Sequence, residues 1–275
     1  KRKTNIRFYL IPGLIIISFI LRLISAYFLR DMELDHEWDI LVNNLINNKS
    51  YSFYTFNSVL IPSVYMPPLY PFFIFFIKII TSFEKQNLLY SIIIFQIILS
   101  VYSVYLFYEI NKNFFSKKTS LINSTIFSIV PLHVYASGQI SSVTLQMFFS
   151  LFFLKFLLII AKNQSTKNIV IFSITAGMLI LTRGEFILIF LLLTLYTYFK
   201  KKITLTNLIK ILIIVFLVLS PYLVRNYIHF NQVLLVKSLG NNLWKGNNPY
   251  SPVDGKVHGD LHGVPVDIME LKQNS

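Results

Sequence analysis

The sequence predicts an all-α, polytopic membrane protein, and three observations carry that class. Apolar residues make up 55% of the 275-residue chain and charged residues only 13%, about half the charged share of a soluble domain. Apolar runs long enough to cross a bilayer recur along the whole length, as membrane helices require. Between them the basic residues gather in short clusters, Lys112-Lys117-Lys118, Lys162-Lys167 and Lys200-Lys201-Lys202, the placement expected of cytoplasmic loops. The formal charge of +13 is therefore read as topology facing anionic lipid, not as a nucleic-acid surface. The chain has no cysteine, which excludes disulfide scaffolds, thiolate metal sites and cysteine nucleophiles.

The first apolar run, 8–29, follows Lys1-Arg2-Lys3 and lacks a small-residue cleavage site. It reads as an uncleaved anchor with a cytoplasmic N-terminus. Over 34–48, Leu34, Trp38, Leu41, Val42, Leu45 and Ile46 recur at helical spacing, which predicts an amphipathic helix lying on the membrane. Residues 49–65 read as loop. The run 67–83 is short and holds Lys78; were it to cross, two lysine clusters would face outward, so it is predicted to dip in and return. Spans over 88–110, 119–136, 144–161, 169–182, 186–199 and 207–224 bring the total to about seven, with juxtamembrane helices in the first outer loop. Residues 1–239 then form a transmembrane domain. Residues 240–275, polar and rich in Gly, Pro and Asn, form an outer loop or an incomplete region.

Five of the twelve acidic residues fall within 31–39: Asp31, Glu33, Asp35, Glu37 and Asp39. Carboxylates crowded at a membrane surface repel one another and invite a metal or a cationic partner. Asp35 and Asp39, four apart, share a helical face. A carboxylate there serves as general base for an acceptor hydroxyl or amine, or holds a divalent cation, Mg or Mn. The plainer alternative is a solvated juxtamembrane loop. With the topology above, this cluster, the turns at Ser137-Gly138-Gln139 and Arg183-Gly184-Glu185, and Arg225 all fall on one outer face. Arg183 reads either as a phosphate ligand or as half of an ion pair with Glu185; Arg225 reads as a phosphate ligand or a snorkelling arginine. Lys78, Glu109 and Lys155 lie in or at the ends of apolar runs, where charge is costly. Of these Lys78 is placed to meet a lipid phosphate, and Glu109 reads as snorkelling. The alternation His258-Gly259-Asp260-Leu261-His262 has a metal-binding look in a glycine-rich tail. No Walker loop, dinucleotide fingerprint or nucleophile elbow is present.

Four stretches in order complete the reading. They are the acidic cluster with Asn44-Leu45 and Tyr51-Ser52; Pro67-Pro68-Leu69-Tyr70-Pro71; Leu181-Thr182-Arg183 with Glu185; and Pro221 through Arg225-Asn226-Tyr227 to Asn242-Leu243-Trp244-Lys245-Gly246-Asn247-Asn248-Pro249. Together they resemble the membrane glycosyltransferases of family 39, which include protein O-mannosyltransferases and the aminoarabinose transferase of lipid A. The resemblance implies a GT-C-type fold and transfer of a sugar from a polyprenyl-phosphate carrier to a lipid, protein or glycan acceptor. It implies a bacterial cytoplasmic membrane with the site facing outward, a source the richness in Ile, Lys, Asn and Phe also hints at. It assigns the catalytic carboxylate to Asp35, Glu37 or Asp39, with Asp35 first, and the carrier phosphate to Arg183, Arg225 and Lys78. Tyr70, Gln139, Glu185 and Asn226 are assigned to the substrates. Two departures stand out: Val143 occupies a position where many relatives carry an acid, and the chain stops in a polar tail where relatives continue with further helices. The competing readings are a lipid-linked sugar flippase or transporter, and a truncated, non-catalytic relative.

Overall fold

The computed structural model describes residues 3–31, 33–34, 36–56, 59–81 and 85–237, together with Leu243 and Asn247. The chain divides into Lys1–Leu235 and Val236–Ser275. In the second unit Asn247 Nδ2 donates to the Leu243 carbonyl at 2.7 Å. The described helices and strands belong to the first.

Helix α1 spans Lys3–Leu29 and is followed by α2, His36–Asn48. The segment expected to be loop carries instead an antiparallel hairpin, β1 (Ser52–Phe56) and β2 (Val59–Pro62), with Tyr54 opposite Ile61 and Thr55 opposite Leu60. Then come α3 (Leu69–Thr81), α4 (Lys85–Asn111), α5 (Lys117–Ile129), α6 (Pro131–Ala136), α7 (Val143–Ile160), α8 (Thr166–Thr182), α9 (Phe186–Phe199) and α10 (Leu205–Phe230). Among the described residues four stretches, Leu10–Leu29, Gln86–Asn111, Val143–Ile160 and Leu205–Phe230, are long and apolar enough to cross a bilayer. Helices α8 and α9 are shorter, and the single span expected over 119–136 is two helices. Pro131 has no N–H to continue the ladder and disfavours helical backbone at Val130, so α5 ends at Ile129.

The core lies in packed seams. Helices α7, α8 and α10 bury Phe153, Phe172, Ala176, Leu179, Ile211 and Val215 against one another. Gly177 permits the closest approach: a Cβ there would lie 2.5 Å from Val218 Cγ1. Small residues at such crossings are how membrane helices gain packing where lipid already solvates their side chains. A second seam joins α2, α3 and α4 through Val42, Ile74, Leu88 and Ile92, and a third joins α1 to α4 through Ala26, Ile93 and Ile97.

One fully buried cation, Arg22 on α1, received no assignment from sequence. Its Nε donates to Ser100 Oγ at 2.7 Å and its Nη1 to the Ser128 carbonyl at 3.1 Å. That carbonyl belongs to the last turn of α5, just before the break at Pro131. A broken helix end exposes unpaired carbonyls and the negative end of its dipole, and a guanidinium satisfies both. This explains a charge inside apolar surroundings that has no ion pair among the described residues.

The three lysine-bearing loops are tied to one another. Lys162 Nζ donates to Asn113 Oδ1 at 2.7 Å, and Gln164 bridges to the Lys202 carbonyl at 3.0 Å and the Thr204 N–H at 3.1 Å. All therefore lie on one face. Helices α5, α8 and α10 start there under Ser116, Ser165 and Thr204, whose hydroxyls cap free N–H groups. The opposite helix ends gather likewise: Gln139 Nε2 donates to the Leu29 carbonyl at 2.6 Å and the Asp31 N–H to Gly138 at 3.2 Å. Helix α3 stays with this second group. Its last-turn Lys78 donates to Asn43 Oδ1 on α2 at 2.7 Å.

Candidate active site

The face opposite the lysine loops carries three side-chain groups. The first is built by α2 and α3. The apolar stripe of α2 packs inward through Leu41 and Val42, both essentially unexposed, and Trp38 meets Tyr70 edge-on at 5.0 Å between centroids. Burial of that stripe orients the polar stripe. Asp39 is half-buried and has no ion pair among the described residues; Asn43, one turn on, holds Lys78. The carboxylate and the ammonium are thus brought to the same helix face. Asp35 lies outside the described residues, and Glu37 is described in its backbone only.

The second group is a chain of hydrogen bonds beneath the first loop. Tyr70 Oη donates to Gln96 Oε1 at 2.9 Å, Gln96 Nε2 to the Gln139 carbonyl at 2.7 Å, and Gln139 Nε2 to the Leu29 carbonyl. Four segments meet through it: α3, α4, the 137–142 turn and the end of α1. Tyr70 and Gln139, expected at the substrate, have these polar groups engaged in the floor of the site. Gly138 sits beside α1, where an added Cβ would come 3.2 Å from Ala26 Cα. Val143 begins α7 beside this turn and is exposed.

Arg225 organises the third group. Helix α10 continues through Pro221 to Phe230, so Arg225 and Asn226 lie within it and not after it. Arg225 donates from Nη2 to the Tyr51 carbonyl at 2.6 Å, and from Nη1 to the Ser63 carbonyl at 2.6 Å and Asn226 Oδ1 at 2.7 Å. Its guanidinium clasps both ends of the hairpin to α10, which differs from an arginine held open for phosphate. Asn226, fully buried, donates to the Leu234 carbonyl at 2.7 Å. Tyr51 packs between Phe72 and Tyr222, and burial, with Tyr222 adding and Arg225 opposing, holds its hydroxyl well above the ordinary phenol range. It stays protonated and donates to the Met66 carbonyl at 3.0 Å.

Arg183 is the more open of the two candidate arginines. It ends α8, and its Nη1 lies 3.6 Å from Glu185, with the two side chains 39% and 66% exposed. A pair so exposed is worth little, so a phosphate competes for it readily. Two residues earlier, Leu181 packs with Leu41, Tyr51 and Tyr222, which carries this turn to the α2–hairpin group. Of the other charges picked out from sequence, Glu109 pairs with Lys112 at 2.5 Å, and Lys155 Nζ lies over Tyr105 at 5.7 Å. Among the described residues no three His, Asp or Glu gather in a metal-like group. The stretches 242–249, apart from Leu243 and Asn247, and 258–262 lie outside them.

Sequence reasoning missed Gln96 and Arg22. The signal for both was available, since a polar or charged residue inside an apolar run is costly there, the rule that singled out Lys78.

Residues 66–224, more than half of the chain, match a family model described as dolichyl-phosphate-mannose-protein mannosyltransferase. The match opens just before α3 and closes within α10. It includes Lys78, Gln139, Arg183 and Glu185, and leaves the 31–39 acids outside. No curated protein and no solved structure matches the chain.

Proposed function

We propose, from the premise that this chain belongs to the dolichyl-phosphate-mannose-protein mannosyltransferase family, that it moves a sugar from a polyprenyl-phosphate carrier to a lipid, protein or glycan acceptor. At the coarser level it is a membrane glycosyltransferase of the mannosyltransferase type, and an integral membrane protein. The observation that carries the finer reading is the gathering of α2, the hairpin and the Arg183 turn on the face opposite the lysine loops. With lysines cytoplasmic, that face is the outer one, where the carrier presents its sugar, and the membrane is the bacterial cytoplasmic membrane.

The proposed chemistry balances simply. A carboxylate of the first loop takes the proton of the acceptor hydroxyl, and the oxygen attacks the anomeric carbon. The bond from that carbon to the phosphate oxygen breaks, and the carrier leaves as a phosphate monoester. The base is Asp35, with Asp39 next in line. The charge growing on the phosphate is met by Arg183, since guanidinium matches phosphate oxygens bidentately. Lys78 and Arg225 act mainly by holding α2 and the hairpin in place. A divalent cation is compatible with the acid-rich loop and is not required by this scheme. The test is turnover of radiolabelled polyprenyl-phosphate sugars by purified protein. Asp35→Asn is expected to lose about 10²–10⁴-fold, the usual worth of a general base, while inserting normally in the membrane. Full turnover in that variant removes Asp35 from the role.

A further inference from the structure

The acidic segment 31–39 is gripped at both of its ends, and one side chain joins the two grips. At the first end the Asp31 N–H donates to the Gly138 carbonyl at 3.2 Å, and Gln139 Nε2 donates to the Leu29 carbonyl at 2.6 Å. The 137–142 turn thereby holds the point where the chain leaves α1. At the second end Trp38 meets Tyr70 edge-on at 5.0 Å between centroids. Between the two, Leu34 is buried in the cluster that contains Tyr70, Ile140 and Leu145.

Gln96, on α4, connects them. Its Oε1 accepts from Tyr70 Oη at 2.9 Å, and its Nε2 donates to the Gln139 carbonyl at 2.7 Å. Among the described residues no other hydrogen bond joins the 137–142 turn to α2 or α3. The side chain is fully buried, within a stretch apolar enough to cross a bilayer. A polar group there is costly, and an apolar residue of the same volume would fill the space as well. What the amide adds is direction. Apolar surfaces can slide over one another, whereas a fully satisfied hydrogen-bond network holds one arrangement. Here that arrangement is the spacing between the turn, which carries Asp31, and the Tyr70 ring, which carries Trp38.

We propose that Gln96 is a positioning residue for the transfer reaction: by tying the 137–142 turn to Tyr70, it sets how the carboxylates of 31–39 are presented to the sugar. The inference rests on the reading that one of these carboxylates is the base, and it gives a role in that reaction to a side chain that touches no substrate. A misplacement of about 1 Å costs on the order of 10²-fold in rate. Loosening the tie therefore acts on kcat, while the phosphate ligand Arg183, at the end of α8, stays where it is.

Gln96→Met in the full chain keeps the side chain's length and removes both hydrogen bonds. With a polyprenyl-phosphate sugar as donor it is expected to lower kcat about 10²-fold and leave the donor KM unchanged. Gln96→Glu in its neutral form offers the same acceptor and donor. Relative to the unaltered protein at the same pH, it should turn over well in mild acid and fall toward Gln96→Met in alkali, where a carboxylate only accepts. Tyr70→Phe keeps the ring on Trp38 and loses the hydroxyl; combined with Gln96→Met it should be no slower than Gln96→Met alone, because both cut one tie. A second readout needs no turnover. The chain has no native cysteine, so spin labels at Asn47→Cys on α2 and Val143→Cys beside the turn, both exposed, report their separation. One narrow distance is expected with Gln96 and a broad distribution with Gln96→Met. An unbroadened distance, or a kcat unmoved by Gln96→Met, overturns the positioning role and leaves the transferase reading intact. Equal losses in Gln96→Met and Gln96→Glu at every pH mark Gln96 as packing alone and also overturn it. An unaltered protein that turns over no donor overturns the transfer itself and the role with it, even where the distance broadens.

Discussion

Arg183 and Arg225 looked equivalent as candidate phosphate ligands, and their surroundings separate them. Arg225 is engaged by two carbonyls and an amide oxygen, whereas Arg183 faces one exposed carboxylate 3.6 Å away. Arg183→Gln is therefore expected to lower donor turnover by about 10²–10³-fold, the scale of a lost transition-state donor, with little change in melting temperature. Arg225→Gln should do the reverse in kind, freeing the hairpin; limited proteolysis would show new cleavage within 51–63. If both variants lose turnover with the hairpin still protected, the assignment of a clasp to Arg225 is wrong. Arg22 makes a third prediction. Arg22→Ala leaves the Ser128 carbonyl and the Ser100 hydroxyl buried without their donor, at about 1–3 kcal/mol for each unmade bond, so thermal unfolding in detergent should shift clearly downward. These distinctions were not legible in sequence, because a basic residue near a membrane face reads the same whether its donors are engaged or open. Polar groups within the apolar runs were legible in principle, as Gln96 shows.

At the scale of elements, the reading succeeded where periodicity was strong. The apolar positions of α2 repeat so regularly that helix and buried face both follow. The hairpin escaped because its strands are brief and the residues joining them, Asn57-Ser58, are a weaker turn signal than Asn-Gly. The break in 119–136 escaped for another reason. Pro12 and Pro221 sit inside continuous helices while Pro131 ends one, so proline alone does not decide in a membrane, where neighbours can satisfy the freed carbonyls. At Pro131 the neighbour is Arg22. The α8–α10 crossing carries its own prediction. Gly177→Ala places a methyl against Val218 and should cost about 1–3 kcal/mol by overpacking. Adding Val218→Ala should recover most of the loss, and failure of that rescue would show that the crossing is not set by this contact.

Across the whole molecule, the lysine loops and the charged groups at the other helix ends form two separate faces. The positive-inside rule anticipated this from the order of clusters along the chain, and the hydrogen bonds of Gln164 and Lys162 give the lysine face its physical form. What the order of residues left open was which polar groups on the second face meet substrate and which hold its floor, since that depends on packing between distant segments. The proposed function places the chemistry at that second face, outside the cell. The most direct test uses the absence of native cysteine. Val143→Cys, beside the 137–142 turn, and Lys118→Cys, on the lysine face, are both exposed. An impermeant thiol reagent added to intact cells is predicted to label Val143→Cys and to block its donor turnover, and to reach Lys118→Cys only after permeabilisation, with turnover unchanged. Labelling of Lys118→Cys from outside, or block of turnover at Lys118→Cys and not at Val143→Cys, would contradict it.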